Sequence, residues 1–150
     1  MGERKKKNYL GDFLRWAEFS GLDISPKARD LLKSDALPPL RAAIVAQDLG
    51  RFEDFHHAAY AARWCEGRDL SQPDELAGLL TRTGFDADDV MARAEDPGVQ
   101  ERLDAETRRA IDKGAFGVPT MFIDDQMFWG NDRFELVRFY LERKLQRRTG

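Results

Sequence analysis

Cysteine is almost absent: Cys65 is the single one in 150 residues. That excludes an internal disulfide and any C-x-x-C redox or zinc pair within these residues. No run of 18 apolar residues occurs, so no segment has the composition of a membrane-spanning helix. A basic excess is missing too, with 24 Lys+Arg against 27 Asp+Glu, a net charge of −3 and a pI near 5.5. The electrostatic footprint of a nucleic-acid binder is therefore absent. The basic start, Arg4 to Lys7, is not followed by an apolar stretch and does not read as a secretory signal. These absences lead to the expectation of a cytoplasmic protein with neither nucleic acid nor membrane as partner. The two histidines, His56 and His57, are adjacent, so on a helix they point about 100° apart and cannot share a metal. With no H-E-x-x-H, P-loop, G-x-G-x-x-G or G-x-S-x-G, no metal site or nucleophile elbow is expected.

Aromatic and aliphatic residues are plentiful. Ten Phe, three Trp and three Tyr within 42% hydrophobic residues exclude wholesale disorder. The length suits one domain. Charge is uneven: between Glu66 and Glu106 there are 12 acidic residues against 4 basic ones. A solvated helical face or a partner-binding face would both produce that.

Helical periodicity fills the first three quarters. Leu10, Phe13, Leu14 and Ala17 recur at i, i+3, i+4, i+7, with Gly21 as the stop. A short stretch from Leu22 to Pro26 has room for an extended segment. Pro38 and Pro39 mark the start of a helix that ends near Gly50. Another runs from Phe52 to Cys65, closed by Gly67. Ser71 and Asp74 have the spacing of a capping box before Leu76, Leu79 and Leu80, and Asp86 with Asp89 opens a further helix. Asp96-Pro97 reads as an N-cap and first helical proline for a helix that reaches Gly114. The pattern then changes. Val118 to Ile123 and Gln126 to Trp129 read as two strands joined by Asp124-Asp125. Gly130-Asn131-Asp132 leads into a last helix, with Phe134, Val137, Leu141 and Leu145 as its expected buried face.

Two short motifs bear on chemistry. In Gly117-Val118-Pro119-Thr120 the proline falls at the start of a strand. A cis Val118–Pro119 bond would free the backbone of Val118 to pair with an extended ligand, whereas a trans proline would simply begin the strand. Asn131-Asp132-Arg133 falls at a helix N-terminus, where free N–H groups suit a carboxylate. Asp132 could take an amine and Arg133 a carboxylate, or Asn131 or Asp132 could be only the N-cap. Cys65, beside Trp64 on an apolar helix, reads as an inert packing residue.

The segments in this order resemble the 2-hydroxychromene-2-carboxylate isomerases and kappa-class glutathione transferases of the DsbA family. The resemblance is carried by Tyr9 to Gly21, by Trp64-Cys65-Glu66-Gly67-Arg68-Asp69-Leu70, by Gly114 to Ile123, and by Phe128-Trp129-Gly130-Asn131-Asp132-Arg133. It implies an α/β, mostly helical chain: an incomplete thioredoxin-like fold with a helical insertion and a C-terminal β-β-α. Residues 1–36 would belong to the thioredoxin-like part, 37–112 to the insertion, and 113–150 to the β-β-α segment. The resemblance implies glutathione as cofactor and Pro119 in cis. Val118 would pair with the cysteinyl unit, while Asn131, Asp132 and Arg133 hold the γ-glutamyl end. The implied activity is glutathione-dependent isomerisation of a small electrophilic aromatic substrate in the degradation of aromatic compounds. Family members are commonly dimers, so a homodimer is among the expectations.

One departure limits the carry-over. The family opens with a strand, a helix and a second strand, and the nucleophile-position Ser, or Cys in the DsbA branch, ends the first strand. Here Gly2-Glu3-Arg4 runs almost at once into the helix that follows that unit. No catalytic residue is assigned within this sequence, and turnover by the chain alone is left open. The expectation is a truncated gene product, a misplaced start codon, or a remnant that completes its sheet by dimerising. Two alternatives stand beside the isomerase: a DsbA-like thiol–disulfide oxidoreductase with its redox motif upstream, and a non-catalytic module binding glutathione or a peptide.

Overall fold

Proline and glycine set the limits of most helices in the computed structural model, which describes residues 3–149. The side chains of residues 3–7, 10, 148 and 149 lie outside that description, and with them the expected roles of Leu10 and of the basic start. The chain divides into two units, residues 1–103 and 104–150.

The first unit is helical. Helix α1 covers Glu3–Phe19, with Ala17 buried and Phe13 packed on Trp64 at 5.4 Å between ring centres. Leu14 lies 48% exposed, so the expected apolar face of α1 is only partly covered. Instead of an extended segment, a loop and then a 3-10 turn over Pro26–Lys33 follow Gly21. Helix α2 (Leu37–Asp48) begins with prolines in its first turn, and Asp35 accepts the Leu37 N–H at 2.9 Å. Helix α3 covers Phe52–Tyr60 and continues as a π turn over Ala61–Cys65, so the expected single helix to Cys65 changes its hydrogen-bond step. Helices α4 (Pro73–Arg82), α5 (Ala87–Ala94) and α6 (Pro97–Asp112) complete the series.

The caps agree with expectation at two sites and differ at a third. Asp86 accepts the Asp89 N–H at 3.0 Å, and Asp96 accepts the Gly98 N–H at 2.7 Å. Ser71 does not cap α4. Its hydroxyl donates to Asp69 at 2.8 Å, and Gln72 stands at the N-cap without a side-chain bond. The Asp69 carboxylate, two residues upstream, wins the hydroxyl, and Pro73 moves the helix start past the predicted box.

Alanines let the helices of this unit approach closely. Ala42, Val45 and Ala46 of α2 face Phe55 of α3, Leu76, Leu79 and Leu80 of α4, and Val90 and Ala94 of α5, in one buried cluster. Phe55 and Phe85 meet edge to face at 6.3 Å. Arg51 ties the α2–α3 link to the end of α4, donating to the Gly84 and Thr83 carbonyls at 2.9 and 2.8 Å, with its guanidinium 4.2 Å from the Phe85 ring centre. Arg51 therefore satisfies helix-end carbonyls that α4 cannot pair itself.

The second unit holds the end of α6, strands β1 (Thr120–Ile123) and β2 (Gln126–Trp129), a 3-10 turn over Asn131–Arg133, and helix α7 (Phe134–Thr149). The strands form the expected antiparallel hairpin, pairing Thr120 with Trp129 and Ile123 with Gln126. Asp124 in the turn takes φ 53°, a left-handed conformation that Asp tolerates better than most residues. Its carboxylate pairs with Lys144 of α7, and buried Phe128 packs on Tyr140 at 5.4 Å. The expected buried face of α7 is a correction: Phe134, Leu141 and Leu145 are 57%, 45% and 61% exposed, and Val137 is half-buried. The helix turns Tyr140 rather than that stripe toward the hairpin. Among the described residues β1 pairs with β2 alone, and no helix is long and apolar enough to cross a membrane.

Leu80 is fully buried between α4 and its neighbours. Leu80→Ala should lower the unfolding free energy by about 2–5 kcal/mol, measured by urea denaturation followed by circular dichroism.

Candidate functional site

The loop before β1 is fixed on both sides of Val118. Upstream, the Gly117 carbonyl accepts the Thr120 hydroxyl at 2.5 Å. Downstream, the Pro119 carbonyl accepts the Gly130 N–H at 3.0 Å. The Val118–Pro119 peptide is cis. Between these anchors the Val118 side chain is 93% exposed, and neither its N–H nor its carbonyl has a partner among the described residues. Unpaired backbone groups held in one conformation are what an extended peptide needs to add itself as a strand.

Gly130 brings the second motif alongside. At φ 115° and ψ 150° it turns the chain out of β2 into the 3-10 turn, a conformation that favours glycine. A Cβ there would also stand 2.6 Å from Oδ1 of Asp132. The Gly130 carbonyl accepts the Arg133 N–H at 3.3 Å, which closes the turn ahead of α7. Asn131, Asp132 and Arg133 are all exposed, and an Asp132 carboxylate oxygen lies 3.6 Å from the Arg133 guanidinium. An acid and a base side by side at a helix start complement the ammonium and carboxylate of an amino-acid end group. Neither Asn131 nor Asp132 caps the turn through its side chain, because the N-cap position belongs to Gly130.

Trp129 forms the floor. Its indole packs on Phe116 at 5.0 Å and so closely over Gly117 that a Cβ there would meet Nε1 at 2.7 Å. Phe128 packs beneath the hairpin, whereas Trp129 remains half exposed. Reasoning from sequence singled out Val118, Pro119 and Asn131 to Arg133 but gave Gly117 and Gly130 no role. Their signal is their spacing from Pro119 and Asp132, and it becomes readable once the hairpin register is known.

The Trp64-to-Leu70 motif does different work. The π turn projects Arg63, whose guanidinium donates to the Ala28 carbonyl at 2.9 Å and lies 4.7 Å from the Trp64 ring centre. The Trp64 carbonyl accepts the Ser25 N–H at 2.9 Å, and Gly67, at φ 67°, lies where a Cβ would meet Ser25 Oγ at 2.6 Å. Asp69 takes both the hydroxyl and the N–H of Ser71, at 2.8 and 3.2 Å. The Ser71 hydroxyl, foremost, then the Ser71 N–H, Gln72 and Ser34 hold its carboxyl below the usual range against a smaller desolvation. Cys65 is exposed rather than packed, which corrects the expectation of a buried thiol. Among the described residues no cluster has the makings of a metal site.

Gly117→Ala should push Trp129 off the loop and lower stability by about 1–3 kcal/mol. A red shift of tryptophan emission at an earlier urea midpoint would register it. Asp69 has a depressed folded pKa, so its contribution is present above the unfolded value near 3.9 and fades as pH falls toward and through the folded one. Asp69→Asn should therefore be less stable than wild type at pH 7, and the gap should narrow below about pH 4 in parallel melts.

Residues 2–142 match the DSBA-like thioredoxin domain model. A 2-hydroxychromene-2-carboxylate isomerase of Sphingobium xenophagum is 38% identical over 100 residues, 67% of this chain and 51% of that protein. Human glutathione S-transferase kappa 1 is 30% identical over 88 residues, 54% of this chain and 39% of that protein. A solved 2-hydroxychromene-2-carboxylate isomerase superposes with a TM-score of 0.74 at 25% identity, covering 97% of this chain and 70% of the other. The matched stretch thus spans about half or less of these two curated relatives. The fold is that of the thioredoxin-like DsbA group, and the chain belongs to the DSBA-like thioredoxin domain family.

Proposed function

We propose that this chain carries the glutathione-binding part of a 2-hydroxychromene-2-carboxylate isomerase-like protein. The observation that carries the reading is the hydrogen bond from Gly130 N–H to the Pro119 carbonyl, which sets an unpaired Val118 backbone beside the Asp132–Arg133 pair. In this reading Val118 pairs its backbone with the cysteinyl unit. Asp132 takes the γ-glutamyl ammonium, Arg133 its carboxylate, and Asn131 offers a neutral amide beside them. The donor set fits: one acid, one base and two free backbone groups match a zwitterionic peptide end followed by an extended amide.

Glutathione, when bound, would supply a thiol that adds to an electrophilic carbon and later departs, so that a carbon–carbon double bond is single long enough to rotate. This chain's own residues orient the tripeptide, and the reading assigns none of them as a catalytic residue. In this reading the partner is a small electrophilic aromatic substrate, and the setting is aromatic-compound degradation in the cytoplasm.

Glutathione at 100 times its dissociation constant should stabilise the binding form by about 2.7 kcal/mol, seen as a raised melting temperature. Arg133→Ala should shrink that shift markedly while leaving the ligand-free melt close to wild type, since Arg133 is exposed. An unchanged shift in the variant would remove Arg133 from the site, and no shift in wild type would remove glutathione.

A further inference from the structure

The second unit carries a basic groove at the turn of its hairpin, the end remote from Pro119 and Gly130. Its volume is about 540 Å³, within the usual range of about 300–1,000 Å³ for small-molecule sites. Ile123, Asp124 and Gln126 line it from the hairpin, and Tyr140, Arg143, Lys144 and Arg147 line it from α7. Tyr140 and Lys144 stand four residues apart, as do Arg143 and Arg147, so these four side chains share one face of the helix. Glu142, the nearest acid along α7, points about 100° away from Arg143 and does not line the groove.

Positive charge is in excess here. Lys144 pairs with Asp124, while the Arg143 guanidinium lies 5.4 Å from the centre of the Phe139 ring. Neither Arg143 nor Arg147 has an ion pair among the described residues, whereas Arg109, Arg133 and Arg138 of the same unit each have one. Two arginines one turn apart repel, which costs the helix stability. The helix dipole accounts for a cation in the last turn, yet Arg143 and Lys144 precede Thr149 by more than one turn. Three cations against one carboxylate leave two positive charges unmatched in the groove. Guanidinium forks match the oxygens of a phosphate, and a phosphomonoester carries about 1.5–2 negative charges at neutral pH. Ile123 and the Tyr140 ring give the groove an apolar side next to these cations.

We propose that this groove binds a small phosphomonoester, its phosphoryl group on Arg143 and Arg147 and its organic part on Ile123 and Tyr140. A monoanion would leave one of the two excess charges unmatched. Inorganic phosphate would match the charge and leave the apolar side bare. The phosphoryl group competes with Asp124 for Lys144, so the acid at the hairpin turn opposes binding. No residue of the glutathione reading takes part, and the proposal is independent of it.

The test is titration of the isotope-labelled whole chain, followed by amide chemical shifts, at about pH 7.5, above the second phosphate pKa near 6. The probes are butyl phosphate, butyl sulfate as its monoanionic counterpart, and inorganic phosphate. Butyl phosphate should give saturable shifts at residues 123–126 and 140–147, with an affinity about fivefold or more above that of either other probe. Arg143→Gln should weaken it by about fivefold. Asp124→Asn should tighten it, because an opposing charge is removed and Lys144 is released; asparagine also tolerates the left-handed turn. Absence of saturable shifts in the groove, equal affinities for the phosphate and sulfate esters, or equal affinities for butyl and inorganic phosphate would each overturn the proposal. So would an affinity unchanged in Arg143→Gln, an affinity unchanged or lowered in Asp124→Asn, or one that falls in Arg133→Ala and not in Arg143→Gln.

Discussion

The bond between the Gly130 N–H and the Pro119 carbonyl is the constraint on which the second unit is arranged. It joins the residue that opens β1 to the residue that leaves β2, one step beyond the last ladder pair, Thr120 with Trp129. An isolated two-stranded hairpin is marginal in water. Here the extra bond closes its open end, while the Asp124–Lys144 ion pair at its turn and the Phe128–Tyr140 contact at its face hold it to α7. The same bond decides what the open end can do, because it sets an unpaired peptide segment beside an acid–base pair. A rotation of Gly130 would separate them, and its positive φ allows few replacements.

Glycine acts here through space as well as through conformation. Gly117 gives way to the Trp129 indole, Gly130 to the Asp132 carboxylate, and Gly67 to the Ser25 hydroxyl. In each case a side chain and not the backbone occupies the room a Cβ would need. The close approach then fixes that side chain: the floor of the loop, the acid of the pair, and the strap that holds the π turn to the 3-10 segment. Three glycines thus transmit the chain's path to the three places where polar or aromatic groups are presented.

Much of this was legible in the sequence, for physical reasons. Pro38, Pro39 and Pro97 fit best in a first helical turn, and Asp86 and Asp96 stand where a helix-start N–H comes within reach of the carboxylate. The hairpin and its turn followed from two apolar runs separated by two aspartates. What escaped shares a cause, namely competition that only three dimensions decide. The Ser71 hydroxyl could accept an N–H of the helix start or donate to Asp69, and it donates to Asp69. The π turn inserts its extra step among Ala61 and Ala62, where small side chains fit either hydrogen-bond register and periodicity gives no warning. In α7, Phe134, Leu136, Val137, Phe139, Tyr140, Leu141 and Leu145 surround the axis, so several apolar stripes were open. The Phe128 ring selected the one containing Tyr140.

Exposure decides what a charged side chain contributes in this chain. Asp132 and Arg133 lie 3.6 Å apart in the open, where water screens each and the pair contributes little to stability. Such a pair is cheap to separate, so a zwitterion inserting between its members loses little and gains two charge-assisted bonds. Arg63, by contrast, is half-buried with no ion pair among the described residues, and one carbonyl and one indole meet its charge instead. An exposed acid–base pair beside unpaired backbone is thus the arrangement that a zwitterionic peptide end would require.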